Sequence, residues 1–156
     1  MKKTPSRPIP SGALAFLLAA VFTAPQSASA QLAPDLHRLQ GHWVGEGPGG
    51  ACSVTISGNS LLYTQPAADE TKPDFFYETT FTLPPDTDPK QLHATILRNS
   101  SPEPADIGRV VVALFKIEDE TLTLGVVEDF DGPVTKPIAG DWERTIDRYY
   151  LEKARP

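Results

Sequence analysis

Polar and apolar residues alternate over several short segments of the chain, a pattern typical of β-strands with one buried and one wet face. The clearest case covers residues 51–65, where Cys52, Val54 and Ile56 alternate with small polar residues. The dipeptide Gly58-Asn59 follows, a combination typical of tight turns, and a second apolar stretch returns after it. The pattern therefore predicts a β-hairpin in this segment.

The same kind of pattern recurs along the rest of the chain and predicts about eight strands in all. Besides the two hairpin strands, the predicted strands cover residues 42–46, 75–83, 91–98, 108–117, 121–127 and 148–153. Loops with proline separate several of them, at 66–74, 84–89 and 99–106, since proline cannot donate to a strand ladder. Short, evenly spaced strands joined by hairpin turns favour an all-β fold, either an antiparallel up-and-down β-barrel or a sandwich.

A helical pattern precedes the strands. Residues 34–39 form one predicted helical turn, with Leu36 and Leu39 three positions apart on the same face. The turn leads directly into Gly41 and Trp43, which a single residue separates. This layout predicts that the tryptophan closes one end of a small barrel as a structural plug, with the glycine beside it.

The first 30 residues have the pattern of a secretory signal peptide. A basic start is followed by an apolar core at 13–22 and by Ala28-Ser29-Ala30, which matches a cleavage site. The apolar core has about ten residues, whereas a membrane-spanning helix needs about 20. We therefore expect an exported protein, periplasmic or extracellular, whose residues 31–156 form one barrel domain.

Charge and cysteine content narrow the functional classes. The chain carries a formal net charge of −6, and all of its acidic residues lie after residue 30. An acidic chain is a poor partner for nucleic acid or for anionic membrane surfaces, so we expect neither partner and no integral membrane protein. The single cysteine, Cys52, has no partner for an internal disulfide, and its strand pattern predicts a small buried residue.

Three segments of the chain resemble the lipocalin-like branch of the calycin superfamily, a set of small, mostly uncharacterised bacterial exported proteins. The first is Leu39-Gln40-Gly41-His42-Trp43, directly after the helical turn. The second is Phe81-Thr82-Leu83-Pro84 together with Asp88-Pro89-Lys90-Gln91-Leu92. The third is the stretch 113–124, an aromatic strand with a turn and a return strand. Their order and spacing carry the resemblance across most of residues 31–156.

This resemblance implies an up-and-down barrel closed at one end by Trp43. In lipocalins a basic residue of the last strand commonly packs on this indole, a role that Arg148 or Lys153 would fill through a cation–π contact. Typical lipocalins hold small apolar ligands, and an eight-stranded barrel is wide enough for its own side chains or for one small ligand. The family implies no established reaction.

Four aromatic residues on the predicted strands are candidates for the lining of a ligand cavity, namely Tyr63, Tyr77, Phe81 and Phe115. Large aromatic side chains form an apolar wall, and tyrosine adds a polar group to it. The alternative is that all four fill a solid core. The alternation alone does not decide between these interpretations, because it leaves open which face points inward.

Residues with metal-binding or catalytic chemistry form no constellation in the sequence. The histidines His37, His42 and His93 are widely spaced, whereas a zinc site needs three or four converging ligands. The acidic stretch 128–132 matches only a fragment of an EF-hand loop, since two required acidic positions are apolar. No serine or cysteine stands in the context of an activated nucleophile. We therefore predict no metal, no cofactor and no catalytic residue.

Three functions are compatible with these patterns. The first is an exported lipocalin-like protein that buries a small apolar ligand in its barrel. The second is a protein-interaction or inhibitor module, in which a solid barrel presents the loops 66–74, 84–89 and 99–106 to a partner. The third is an enzyme, which would need converging polar residues with shifted pKa values at the barrel mouth. A barrel filled by its own side chains would exclude the first.

Overall fold

One α-helix and eight β-strands make up the regular structure of residues 28–101 and 104–155, the part of the chain that the computed structural model describes. Helix α1 covers Ala28–Leu39. The strands are β1 (Gly41–Gly47), β2 (Gly50–Ser57), β3 (Ser60–Gln65), β4 (Phe75–Thr82), β5 (Gln91–Asn99), β6 (Val110–Glu118), β7 (Thr121–Phe130) and β8 (Asp147–Lys153). Short 3-10 turns cover Pro104–Asp106 and Trp142–Arg144. The predicted signal peptide, residues 1–30, lies outside the described residues except for its last three positions.

The eight strands form a closed antiparallel barrel in which each strand pairs with its neighbours in sequence. Pairing of β1 with β8, through Trp43–Lys153 and Gly45–Leu151 among others, closes the sheet on itself. This arrangement confirms the predicted all-β, up-and-down barrel of about eight strands. The sandwich, which the sequence pattern left open, is excluded by this closure.

Two elements extend beyond their predicted bounds by three residues or more. Strand β7 continues to Phe130, whereas the sequence predicted a strand over 121–127, because its ladder with β6 continues through the pair Val111–Asp129. The pairing of β6 with β7 shifts register between Val112 and Ala113 and then continues to the end of β7. Helix α1 has 12 residues rather than the single turn predicted at 34–39. The predicted helical face is nevertheless present, since Leu39 is fully buried.

Helix α1 covers one end of the barrel, which we call the closed end. Arg38 donates a hydrogen bond of 2.7 Å to the carbonyl oxygen of Ile117 at the end of β6. The side chain of Gln40 accepts from the backbone N–H of Gly58 at 2.6 Å and donates to its carbonyl oxygen at 3.1 Å. Asp35 pairs with Lys90, just before β5, at 2.5 Å. Helix α1 and the residue that follows it are therefore tied to the end of β6, to the β2–β3 turn and to the loop before β5.

The barrel interior next to α1 is packed with apolar side chains. The core cluster is built from residues on both the helix and the strands, including Leu39, Trp43, Val54, Ile56, Leu61, Phe81, Leu92, Phe115, Leu122 and Leu151. Most inward-facing positions of this half carry aromatic or branched side chains, which fill the barrel interior. The closed half therefore holds the main hydrophobic core.

The connection between β7 and β8, residues 131–146, crosses the outer face of β5, β6 and β7, and we call it the strap. Leu114 of β6, which is fully buried, lies next to Gly140 of the strap. Gly125 of β7 lies against Thr145 and Trp142, and an added Cβ at this glycine would lie 2.6 Å from Cγ2 of Thr145 and 3.0 Å from the indole ring. The strap thus buries a second apolar layer on the outside of the barrel.

Candidate functional site

The barrel is hollow in the half that lies away from α1. A cavity of about 590 Å³ occupies this half and is bounded by the turn at 48–49, by the loop between β5 and β6, and by the end of the strap at Ile146. We call this end the open end. A volume of this size lies within the range of about 300–1,000 Å³ that is usual for small-molecule sites.

The floor of the cavity is apolar. It is formed by inward-facing residues of five strands, namely Val54, Leu61, Leu92, Ala94, Ala113 and Leu124. The two alanines lie on the neighbouring strands β5 and β6, where Ala113 pairs with Leu92 and Ala94 with Val111. Small side chains at these inward positions leave space that branched residues would fill, which explains why the interior opens above them.

The wall of the cavity contains a cluster of four aromatic side chains, Tyr63, Phe75, Tyr77 and Tyr149. Their rings meet edge to face, with centroids 6.4 Å apart for Tyr63 and Phe75, 5.6 Å for Tyr63 and Tyr149, and 4.9 Å for Phe75 and Tyr77. Such contacts add to the stability gained by burial and fix the ring orientations. The cluster therefore forms a rigid apolar wall with three phenol groups.

The three phenols stay protonated at neutral pH. Burial is the main cause that raises the pKa of Tyr63 and Tyr77 above the ordinary tyrosine value, and it raises the pKa of Tyr149 to about 12. Asp147 adds to this effect at Tyr63 and Tyr149, and Asp106 adds to it at Tyr77. These groups are suited to hydrogen bonding with a ligand and unsuited to act as bases.

A single guanidinium group, that of Arg109, lines the cavity among the described residues. It is surrounded by carboxylates, with its closest nitrogen–oxygen distances at 2.7 Å to Asp129, 3.3 Å to Asp131 and 3.5 Å to Asp106. Its Nε atom is buried and makes no hydrogen bond, although Asp131 lies within ion-pair distance. Arg109 therefore holds the loop before β6 and the end of β7 together at the open end.

Asp106 links this ion-pair cluster to the aromatic wall. One of its carboxylate oxygens accepts a hydrogen bond of 3.2 Å from the hydroxyl of Tyr77 and a weaker one of 3.4 Å from Asn99. The opposite side of the opening has a similar link, because the hydroxyl of Tyr63 donates to Gln65 at 3.0 Å and Gln65 donates to the carbonyl oxygen of Gly49 at 2.6 Å. Hydrogen bonds to residues at the opening of the cavity thus orient the hydroxyl groups of Tyr63 and Tyr77.

At the closed end, Trp43 is 1% exposed and its Nε1 donates a hydrogen bond of 2.8 Å to the carbonyl oxygen of Leu39 in α1. The Nζ atom of Lys153 lies 5.2 Å from the centroid of the indole ring. Of the two basic residues that the resemblance offered for this contact, Lys153 makes it. Arg148 instead donates hydrogen bonds to Thr145 and to the carbonyl oxygen of Trp142 in the strap.

The four aromatic residues predicted to line a cavity are divided between two regions. Tyr63 and Tyr77 face the cavity. Phe81 and Phe115, which are 2% and 3% exposed, belong to the packed core cluster and are not among the cavity-lining residues. The division follows position along the strands, because Tyr77 stands near the open end of β4 and Phe81 stands near its closed end.

Several residues of the site were not predicted from the sequence, chiefly Phe75, Arg109 and Tyr149. The signal for Tyr149 was present, since it alternates with Leu151 in the last strand and shares its inward face. Arg109 stands two residues before Val111 and four before Ala113, both inward-facing. A lone arginine in phase with the inward positions of the most apolar strand was therefore a usable signal for a polar rim.

The histidines stay apart in the fold. His42 is exposed and its Nδ1 lies 2.9 Å from the Thr55 hydroxyl, whereas His93 is 5% exposed and lies 3.2 Å from Gln91 under the strap. Within residues 28–101 and 104–155, no three histidine, cysteine or carboxylate side chains are grouped so that they could hold a metal ion. Cys52 is buried, and burial raises the pKa of its thiol, with Glu46 adding to the effect.

In the described part of the chain, no helix is long and apolar enough to cross a membrane.

Comparisons with known proteins identified no relative of this chain. A scan against protein-family models, a search of curated proteins and a search of solved structures each found no match to this chain.

Proposed function

We propose that the protein is an exported lipocalin-like binding protein that buries a small, largely apolar ligand inside its barrel. The observation that carries this proposal is the cavity of about 590 Å³ with an apolar floor and an aromatic wall. A ligand that enters it would displace water from the floor residues and gain about 25 cal/mol for each Å² of apolar surface buried. The three phenols would supply the few polar contacts that orient such a ligand.

The alternative function, an interaction module that uses its loops, receives less support from the loop positions. The loops at 66–74 and 99–106 flank the open end, because β3 and β5 end there. The loop at 84–89 follows β4 at the closed end and leads to Lys90, which pairs with α1. The three loops therefore do not share one surface, and a single partner would have to contact opposite ends of the barrel.

The test is a fluorescence titration of the purified protein with diphenylhexatriene, a neutral apolar probe that is dark in water. We expect saturable binding with about one site per chain. The variant Ala113→Phe places a ring in the cavity and should abolish this binding while the barrel stays folded. The matched control is Ala51→Phe, which places the same ring at an exposed position on β2 and should bind like the wild type.

Circular dichroism and thermal unfolding of each variant establish whether the barrel is folded. Loss of probe binding in folded Ala113→Phe, with binding retained in Ala51→Phe, would locate the probe inside the barrel. Equal binding by both variants, or no saturable binding by the wild type, would overturn the proposal.

A further inference from the structure

Negatively charged side chains outnumber positively charged ones at the opening of the cavity. Among the described residues, the charged groups that line the cavity are Asp106, Arg109, Asp129 and Asp147. With Asp131, which pairs with the same arginine, the opening carries four carboxylates and one guanidinium. We call these five residues the acidic rim. Its formal charge is strongly negative at neutral pH, so the entrance to an apolar cavity attracts cations and repels anions.

Arg109 does not offer a site for an anionic ligand. Its terminal nitrogens are engaged by Asp129 and Asp106, and its Nε is buried from solvent. A ligand carboxylate would have to displace one of these partners and would still lie beside the remaining negative charges. Like charges at close range in a partly desolvated site disfavour binding. A fatty acid is therefore a poor match for this rim.

The aromatic wall adds a second reason for a cationic group. Tyr63, Phe75, Tyr77 and Tyr149 line the same cavity as the acidic rim. The faces of aromatic rings attract alkylated ammonium groups, which lose less hydration on burial than a primary ammonium. Asp147 lines the same cavity and stands two residues before Tyr149 on β8, so both side chains lie on the inward face of that strand.

We propose that the natural ligand of the cavity is a cationic amphiphile, with an apolar body on the Ala94–Ala113 floor and an alkylated ammonium group at the acidic rim beside Asp147. This inference rests on the proposed function and names the chemical class of its ligand. The cavity is the site, and the acidic rim sets the charge that it accepts. Asp147 acts as a counter-charge that forms no ion pair within the described residues.

The test compares three probes with the same apolar body and different charges. They are diphenylhexatriene, its trimethylammonium derivative and its propionic acid derivative, each titrated into the purified protein at low ionic strength. We expect the cationic probe to bind about tenfold or more tightly than the anionic probe, with the neutral probe between them. Added salt at about 0.5 M should reduce the difference, because it screens the rim.

Two single-charge variants locate the preference. Asp147→Asn removes the unpaired carboxylate of the rim and should weaken binding of the cationic probe about three- to tenfold relative to binding of the neutral probe. The control, Glu152→Gln, removes one negative charge from the exposed face of the same strand near the closed end. It should change the binding of neither probe. This control separates the local field of the rim from the net charge of the protein.

The outcomes distinguish this inference from the proposed function. If the neutral probe binds and Ala113→Phe abolishes its binding, but the anionic probe binds as tightly as the cationic one, the inference is overturned while the proposed function stands. An unchanged cation-to-anion ratio in Asp147→Asn would also overturn it. If none of the three probes binds, the proposed function itself fails.

Discussion

At the scale of single residues, Gly41 shapes the closed end of the barrel. Its φ of +123° lies in a region that L side chains rarely adopt, and an added Cβ would lie 3.1 Å from Cε of Lys153. The absence of a side chain therefore lets the lysine pass over the glycine and reach the indole of Trp43. The pair Gly41 and Trp43 that the sequence marked as a plug acts together with a third residue from the last strand.

The contribution of that third residue can be measured. Lys153→Met keeps an unbranched apolar stem and removes the charge above the indole, so we expect a loss of about 0.5–1 kcal/mol in the free energy of unfolding. Urea denaturation followed by circular dichroism measures it. The control is Arg155→Met, whose side chain is 89% exposed, and it should lie close to the wild type. Equal stability of the two variants would contradict a cation–π role.

Cys52 gives a second prediction at this scale. Its burial raises the pKa of the thiol, so at neutral pH the reactive thiolate is scarce and is shielded from reagents. We expect negligible reaction of the native protein with an aromatic disulfide reagent, and full reaction of its one thiol after unfolding in guanidinium chloride. Rapid labelling of the native protein would show that the β2 face is open to solvent.

At the scale of elements, two glutamines hold connections to the barrel in the same way. Gln91 donates to the carbonyl oxygen of Ile138 at 2.6 Å and accepts from its N–H at 3.2 Å, which fixes the strap. Gln40 forms the equivalent pair with Gly58 at the closed end. Each glutamine amide bonds both the N–H and the carbonyl oxygen of one loop residue, as a neighbouring strand would do. The two backbone groups are thereby satisfied where no strand is present.

This similarity provides a matched pair of variants. Gln91→Ala leaves the N–H and carbonyl groups of Ile138 without partners and should lower the free energy of unfolding by about 1–3 kcal/mol. Hydrogen exchange should become faster across residues 131–146, while β1–β3 keep their protection. In Gln40→Ala the faster exchange should appear at the β2–β3 turn instead. Faster exchange over the whole barrel in both variants would contradict independent anchoring.

The strap also makes stability depend on pH through His93. Burial lowers the pKa of this histidine below its ordinary value of 6.5, although a hydrogen bond with the backbone of Val134 opposes the shift. Below pH 6.5 the unfolded chain therefore takes up a proton that the folded chain resists, so the free energy of unfolding falls as the pH falls. Well above that pH, where the unfolded histidine is also neutral, the contribution is complete and constant.

We expect this decline in urea denaturation between about pH 8 and pH 5, with the largest change below the ordinary histidine pKa. His93→Asn, which cannot titrate, should flatten that part of the profile. His42→Asn replaces an exposed histidine on β1 and should retain it. If the free energy of unfolding of His93→Asn still falls as the pH falls, other groups cause the pH dependence.

At the scale of the whole molecule, closure of the barrel joins the packed half and the hollow half into one sheet. All eight strands contribute to a continuous ladder, so neither half has a free edge. The packed half supplies the stability, and the hollow half can then keep small side chains and charged groups at its opening. This division allows a ligand site to exist without weakening the main core.

Closure predicts a single cooperative unfolding transition. In Trp142→Phe the remaining tryptophan, Trp43, reports on the closed end, whereas far-ultraviolet circular dichroism reports on all strands. We expect the two signals to coincide during urea unfolding, because separating the strands at one end breaks the ladder at the other. A fluorescence change well before the loss of strand signal would indicate that α1 and the closed end unfold separately.

The sequence alone determined the strand order, the positions of most strands and the tryptophan near the closed end. Local alternation fixes which residues share a face, and turn residues fix where strands reverse, so both can be predicted from neighbours in the chain. Only the tertiary structure decided that the open half is hollow. The cavity follows from Ala94 and Ala113 lying on adjacent strands, and the charge at its opening follows from Arg109 meeting Asp129 and Asp131. Both are arrangements of residues that are distant in sequence.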